Sequence, residues 1–467
     1  MEITWIGAII IGITFFLLLH YKLTTPLKLA IFFLPLGTIA VINVYLEPGF
    51  GIGLDQYFAA LLILSLFSFV VLRKYRGPNL PGVIKWLFFL LLLLIIVSWI
   101  VPFYNEDIKI RTVLSSQEFF DAPLSFSIYN ITKFFYLLFS IFFFVVAYKS
   151  LNLLRPSQIA RIFIASCSLI AFTALLDFIP NISVLRGALI NNISYGVTAA
   201  KTSLYIGQFG IPRLSGLMIE PSHLVQIMLF GLSIMVVFYI KGITIFSRKI
   251  DLILLSLFFT VSILTYSPVF LGGFLVIAIY TFIKSISSRY RSKKLFKIAT
   301  YSLVGTGMIV LVLQHLWGIN ILYATVVTLL GRFGMAGELA GFQSTYRLQS
   351  IQTALEAFKQ SPFIGVGWGS LSLQVGLPLL LLGSIGIIGF IIFLCLLVSL
   401  LVIAIKKIKR SDSVQEQALR EGFLLAFLIM IGIFSITKGS MVFQYLLFWF
   451  IAAGLVANYK PNESNHV

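Results

Sequence analysis

Pro212-Arg213-Leu214-Ser215-Gly216-Leu217-Met218-Ile219-Glu220-Pro221-Ser222-His223 runs straight into Leu224–Ile240, an apolar run without a charged residue. Read together, the two stretches decide the fold. Pro221 suits the first turn of a helix, where its missing N–H costs nothing. A helix over 221–240 is long enough to cross a hydrocarbon core of about 30 Å. It begins at a membrane surface, with unpaired N–H groups and the positive end of its dipole facing out. Such an end is a ready anion site. Arg213 adds a fixed charge that forks onto phosphate oxygens. Glu220 is the only carboxylate close by and is placed to accept a proton. The same residues also fit a plain loop clasp in which Arg213 and Glu220 pair with each other.

Composition extends this reading to the whole chain. Of 467 residues, 59% are hydrophobic and 11% charged, against about 25% charged in an average soluble domain. Many apolar runs approach or exceed the roughly 18 residues that mark a membrane helix. Backbone groups in lipid need internal partners, so the expected fold class is all-α, a polytopic integral membrane helical bundle. A closed barrel is excluded because the runs do not alternate. Thirteen spans are expected, roughly 3–19, 27–46, 57–72, 84–103, 131–148, 160–179, 221–240, 251–266, 268–283, 298–316, 384–405, 421–436 and 440–457.

The net charge of +18 points to anionic lipid and not to nucleic acid, because the basic residues sit in short connections between spans. Of the 34 lysines and arginines, 24 fall in the connections after odd-numbered spans and 10 in the others. That split places Arg73-Lys74-Tyr75-Arg76, Lys241, Arg248-Lys249, Lys284–Lys297 and Lys406–Arg410 in the cytoplasm, with the N-terminus outside. Ser267-Pro268 is the joint on which this depends. Without a turn there, 251–283 would be one helix of 33 residues and Lys284–Lys297 would lie outside. The expected organisation is a single membrane domain over 1–460, with outer loops at 104–130, 180–220 and 317–383 and a cytoplasmic tail at 461–467. The first run lacks a basic start and a cleavage site, so it reads as a retained span. Cys167 and Cys395 lie in apolar segments and offer neither a disulfide framework nor a metal site.

The third long loop holds a second candidate stretch. Gly331, Gly334, Gly337 and Gly341 precede a helix that starts at Ser344 or Thr345 and stops at Ser361-Pro362. Ile351, Ala354, Leu355 and Phe358 form its expected apolar stripe. Arg347 falls near the middle of that stripe and needs an anion, either Glu220, Glu338, a lipid phosphate or a ligand. Gly365-Val366-Gly367-Trp368-Gly369 follows and allows close backbone approach. It lacks the Lys-Ser/Thr of a nucleotide loop. His223 lies one turn beyond Glu220 and either lines the same site or anchors the interface. His20, His315 and His466 have no partners at metal-ligand spacing. Asn130, Asn181 and Asn192 open glycosylation-type tripeptides that arise by chance in a chain this long. Asp177 reads as a headgroup-level residue.

The stretch from Arg213 through Gly216 to Glu220-Pro221-Ser222-His223 resembles the arginine-to-Glu-Pro-Ser-His segment of bacterial O-antigen and exopolysaccharide repeat-unit polymerases. Arg347–Phe358, followed by Ser361-Pro362-Phe363-Ile364-Gly365-Val366-Gly367, is similar to the second signature of the O-antigen polymerase and ligase superfamily. Gly386-Ile387-Ile388-Gly389 is similar to the start of the span after it. The two signatures cover about a tenth of the chain. Relatives of the ligase type carry an asparagine-rich segment in place of Glu220-Pro221-Ser222, and a histidine near 370–383 where this chain has none. Both departures favour a polymerase over a ligase.

The resemblance implies a GT-C-like integral-membrane glycosyltransferase of the bacterial cytoplasmic membrane, its active site facing the periplasm. Its partners would be an undecaprenyl-diphosphate-linked oligosaccharide, membrane lipid and a chain-length-regulating membrane protein. The acceptor would be a sugar hydroxyl on a second lipid-linked repeat, and no cofactor or metal is expected. Glu220, Arg213 and Arg347 would be catalytic. Arg186, Arg332, Ser222, His223, Gly365 and Gly367 would bind substrate. The rival from another class is a lipid-linked oligosaccharide flippase, which should carry charges along its spans and related halves. Neither is visible here.

Overall fold

The apolar runs become helices where they are long and unbroken, and stop where proline, glycine or a β-branched stretch intervenes. The computed structural model describes residues 2–19, 22–45, 50–71, 75, 77–104, 109–113, 119–178, 189–192, 205–206, 211–286, 341–371, 375–436 and 439–460. The expected span at 298–316, Arg186, Arg332 and the tail 461–467 lie outside these described residues.

The helices are α1 Trp5–Leu19, α2 Thr24–Phe33, α3 Leu54–Val71, α4 Gly82–Ser98 with its continuation α5 Ile100–Tyr104, α6 Ile128–Ser150 and α7 Pro156–Leu175. After the second long loop come α8 Pro221–Ile240, α9 Arg248–Leu264, α10 Pro268–Ile286, α11 Gly341–Gln360, α12 Leu377–Lys409, α13 Val414–Ile436 and α14 Leu446–Val456. Among the described residues, seven helical stretches are long and apolar enough to cross a membrane, at 54–71, 82–104, 128–153, 156–175, 221–240, 377–409 and 414–436. The chain is therefore a largely helical, membrane-embedded protein.

Two of the helices are central. The residues of α8 are apolar almost all round and nearly all buried, against α7, α9, α10 and α13. Every residue of α14 is buried, against α6, α12 and α13. Apolarity on all sides is what a helix surrounded by other helices requires. The peripheral helices keep an apolar outer stripe instead. Examples are Trp86, Phe89 and Leu93 on α4 and Ile391, Leu394 and Val398 on α12, all exposed and suited to lipid.

Cross-element contacts sort the helix ends onto two faces. On the basic face, Glu421 at the start of α13 accepts Lys241 at 3.0 Å and Lys284 at 3.4 Å. The Tyr280 hydroxyl donates to the same carboxylate at 2.6 Å. Arg161 Nε donates to the Ile245 carbonyl, and the Lys460 amide to that of Leu154. Arg420, almost fully buried, is held by Glu416 and by the carbonyls of Leu455 and Ala457. On the opposite face, Leu214 meets Leu264, Thr38 meets Leu217, and Trp99 and Asn130 both reach Trp368. Lys241, shortly before α9, and Lys284, near the end of α10, share the Glu421 carboxylate. The two helices are therefore an antiparallel hairpin turning at Thr265-Tyr266-Ser267, where Tyr266 takes a positive φ of 50°. This agrees with the turn expected at Ser267-Pro268.

Several boundaries differ from the sequence expectation. The span expected at 27–46 is a helix only to Phe33. Pro35 and Gly37 interrupt it, and Ala40–Val44 then forms strand β2, between β1 (Glu2–Ile3) and β3 (Phe50–Gly53) in an antiparallel sheet. The β-branched Val41, Ile42 and Val44 favour an extended backbone. Two short hairpins follow, β4 (Lys109–Val113) with β5 (Phe119–Pro123) and β6 (Tyr205–Ile206) with β7 (Ile211–Pro212). The all-α class thus holds for the long apolar helices but not for the segments that connect them. The span expected at 384–405 begins at Leu377 and breaks at Gly386, whose φ of 67° and ψ of −171° are non-helical. The last span divides into a 3-10 turn, Gly439–Phe443, and α14.

Candidate functional site

The loop that carries Arg213 is tied down through its backbone. The Leu214 amide donates to the Leu264 carbonyl at 3.3 Å. The Ser215 and Gly216 amides donate to one oxygen of Asp177, at 2.8 and 2.7 Å. The Met218 amide closes a turn on the Ser215 carbonyl, and the Leu217 carbonyl accepts the Thr38 hydroxyl. Gly216 is required because its φ is +53° and a Cβ there would lie 2.9 Å from the backbone of Ala174. Leu214, Leu217, Met218 and Ile219 are buried, so the loop is folded into the protein and not laid over it.

Glu220 is the N-cap residue of α8, with extended backbone at φ −130° and ψ 146°, and Pro221 occupies the first helical turn. Its Oε2 accepts the Ser222 hydroxyl at 2.8 Å, and its carbonyl accepts the amides of His223 and Leu224. The carboxylate therefore stands at the positive end of the helix dipole, where negative charge is favoured. Arg213 donates through Nε to the Thr265 carbonyl at 3.3 Å, so the α9–α10 turn holds its stem. Arg213, Glu220, Ser222 and His223 are all partly exposed and sit within one short stretch at the mouth of α8.

The second stretch folds differently from its expectation. On α11 the buried positions are Ser350, Thr353, Ala354 and Ala357, whereas Ile351 is 37% and Leu355 40% exposed. The packed face was expected to be the apolar one, and it is the small-residue one. The reason is proximity: α11 lies on α12 so closely that a Cβ on Gly383 would be 3.2 Å from the Ala354 carbonyl. Small residues permit such an approach, and the larger apolar ones then turn outward. Helix register puts position 347 about 20° from Ala354, at the edge of this packed face.

The glycine turn beyond α11 docks onto the break in α12. Val366 and Gly367 donate to the carbonyls of Gly383 and Ser384 at 2.9 and 3.1 Å. Ile387 and Ile388 donate back to Pro362 and Phe363 at 2.9 and 3.4 Å. A Cβ on Gly365 would lie 2.3 Å from Ser384, one on Gly386 2.2 Å from Phe363, and one on Gly367 2.9 Å from Pro102. The close approach read from these glycines is thus to the chain itself, to backbone at Gly365 and Gly386 and to the Pro102 ring at Gly367. Gly365 and Gly367, expected to bind substrate, lie where the end of α11 is held on α12.

Each stretch is tied to its own neighbours on this face. Trp368 accepts Trp99 Nε1 and Asn130 Nδ2 through its carbonyl, at the C-terminal end of α4 and the first turn of α6. Asn192 donates to the Gly37 carbonyl and Asn191 bonds β2, beside the Thr38–Leu217 contact. Asn130 and Asn192 are buried with their carboxamides engaged, so both are structural locks and not glycan acceptors. α8 packs on α7, α9, α10 and α13, and α11 on α12 and β4. The Arg213–Glu220 loop and the Arg347 helix are supported by different neighbours on that face. Sequence reasoning gave Asp177 only a headgroup-level role and missed Thr38 and Thr265. Asp177 carried one signal, as the single acid in the run 157–204. The other two carried none, since their partners are backbone atoms distant in sequence. No protein-family model matches the chain, and no curated protein matches it.

Proposed function

We propose that the chain is a bacterial O-antigen or exopolysaccharide repeat-unit polymerase, a GT-C-like glycosyltransferase of thirteen spans in the cytoplasmic membrane. Its catalytic face is turned to the periplasm. The observation that carries this reading is the rigid Arg213–Glu220 loop at the mouth of α8, on the same face as the 362–369 turn. An arginine, a helix N-terminus and one carboxylate suit a reaction in which a diphosphate leaves while a hydroxyl loses its proton.

In that reaction the acceptor sugar hydroxyl attacks the anomeric carbon of the lipid-linked donor. The new C–O bond forms as the bond to the diphosphate oxygen breaks, and the configuration inverts. Glu220 takes the hydroxyl proton, with Ser222 fixing the rotation of its carboxylate. Arg213, Arg347 and the first turn of α8 neutralise the departing diphosphate. Diphosphate is a good leaving group, so the step needs neither nucleotide nor metal. His223, one turn into α8, Arg186 and Arg332 complete the substrate contacts in this reading.

The test is chain extension by purified protein in detergent with a lipid-linked repeat as sole substrate. An enzyme extends the chain without a sealed bilayer, and a flippase does not. Glu220→Gln should lower turnover by about 10²–10⁴-fold with little change in donor binding. Normal turnover in that variant removes Glu220 from the mechanism.

A further inference from the structure

We propose that Asp177 is a positioning residue for this site, an inference that rests on the glycosyl-transfer reading above. Asp177 lies in the 3-10 turn Leu176–Phe178 that ends α7. A single carboxylate oxygen collects two consecutive amides, of Ser215 and Gly216, at 2.8 and 2.7 Å. The Ser215 hydroxyl is buried and has no hydrogen-bond partner among the described residues. The loop is thus fixed at this point by its amides and not by its serine side chain.

Two consequences follow from that geometry. A turn over Ser215–Met218 leads to Glu220 through the buried Leu217, Met218 and Ile219, so the anchor at Asp177 sets where the Glu220 carboxylate stands. Two adjacent amides converging on one point also form a concavity that binds phosphate readily. Asp177 fills it.

The bond pattern decides which substitutions rescue. One oxygen accepts both amides, so the carboxamide oxygen of Asn can replace it. Glu keeps the charge but displaces the acceptor by a methylene. Asp177→Asn should keep kcat within about threefold of wild type. Asp177→Ala and Asp177→Glu should lower kcat by about 10–100-fold without raising KM for the lipid-linked donor, the change expected from loss of two hydrogen bonds of ordinary strength.

Rescue by Glu but not by Asn would show that charge matters and position does not, and would overturn the proposal. So would a rise in KM with unchanged kcat. Should Asp177→Ala fail to fold, Asn against Glu still decides. Glu220→Gln run alongside separates the two levels of inference. If it is inactive while Asp177→Ala keeps full turnover, glycosyl transfer stands and Asp177 does not position it. If Glu220→Gln keeps full turnover, the assignment of Glu220 has failed and Asp177 has nothing to position.

Discussion

Replacing Gly365 by alanine separates a glycine that faces a ligand from one that faces the protein. Its φ is +71°, and an added Cβ would meet the backbone of Ser384 and Ile385 at 2.3–2.5 Å. The left-handed conformation costs an L-residue about 1–2 kcal/mol. Overpacking against backbone that cannot swing away adds about 1–3 kcal/mol. The total of about 2–5 kcal/mol corresponds to a fall of about 4–10 °C in the unfolding midpoint, at about 2 °C per kcal/mol for a long chain. Gly386→Ala should behave the same way, since its φ is +67° and its Cβ would meet Phe363 at 2.2 Å. Gly432→Ala is the control. It lies in α13 with nothing within 4 Å of the added Cβ, and alanine is the better helix former. The assay is thermal unfolding of the detergent-solubilised protein, with and without undecaprenyl diphosphate. If Gly365→Ala keeps the wild-type midpoint and loses only the stabilisation given by the lipid, the packing explanation is wrong and the turn binds substrate.

Arg213→Ala and Arg347→Ala should each weaken donor use by about 10–100-fold, and Arg→Lys should rescue only in part because a point charge replaces a fork. Their effects should not add if they share one diphosphate, and a double-mutant cycle on polymerisation rate reads this directly. Glu421→Gln removes the anion shared by Lys241 and Lys284. It should destabilise by about 3 kcal/mol, the lower end of the range for a broken buried pair, because Lys284 keeps 35% of its side chain exposed. Pairing it with Lys241→Met should recover part of that loss in the same thermal assay. Reporter fusions after Arg76, Lys249 and Lys294 should all read cytoplasmic, and an external reading at Lys294 would contradict the α9–α10 hairpin.

Sequence alone was enough for the membrane class, for most of the long helices and for the turn at Ser267-Pro268. These follow from local quantities, namely the length of an apolar run, a proline at a first turn and the sign of the loop charges. The helix start at Glu220-Pro221 was legible for the same reason. Contacts between distant residues were not. The sheet of β1, β2 and β3 exists because three separate segments pair, and no one of them announces it. The packed face of α11 is small and partly polar because α12 lies close, which hydrophobicity cannot reveal. The glycines at 365 and 367 showed that backbone would come close to something, and only the fold identified it as the break at Gly386. Asp177 looked like a surface acid until α7 and the Arg213 loop were brought together. A hydrogen bond to a backbone amide leaves no mark on the sequence of the segment that donates it.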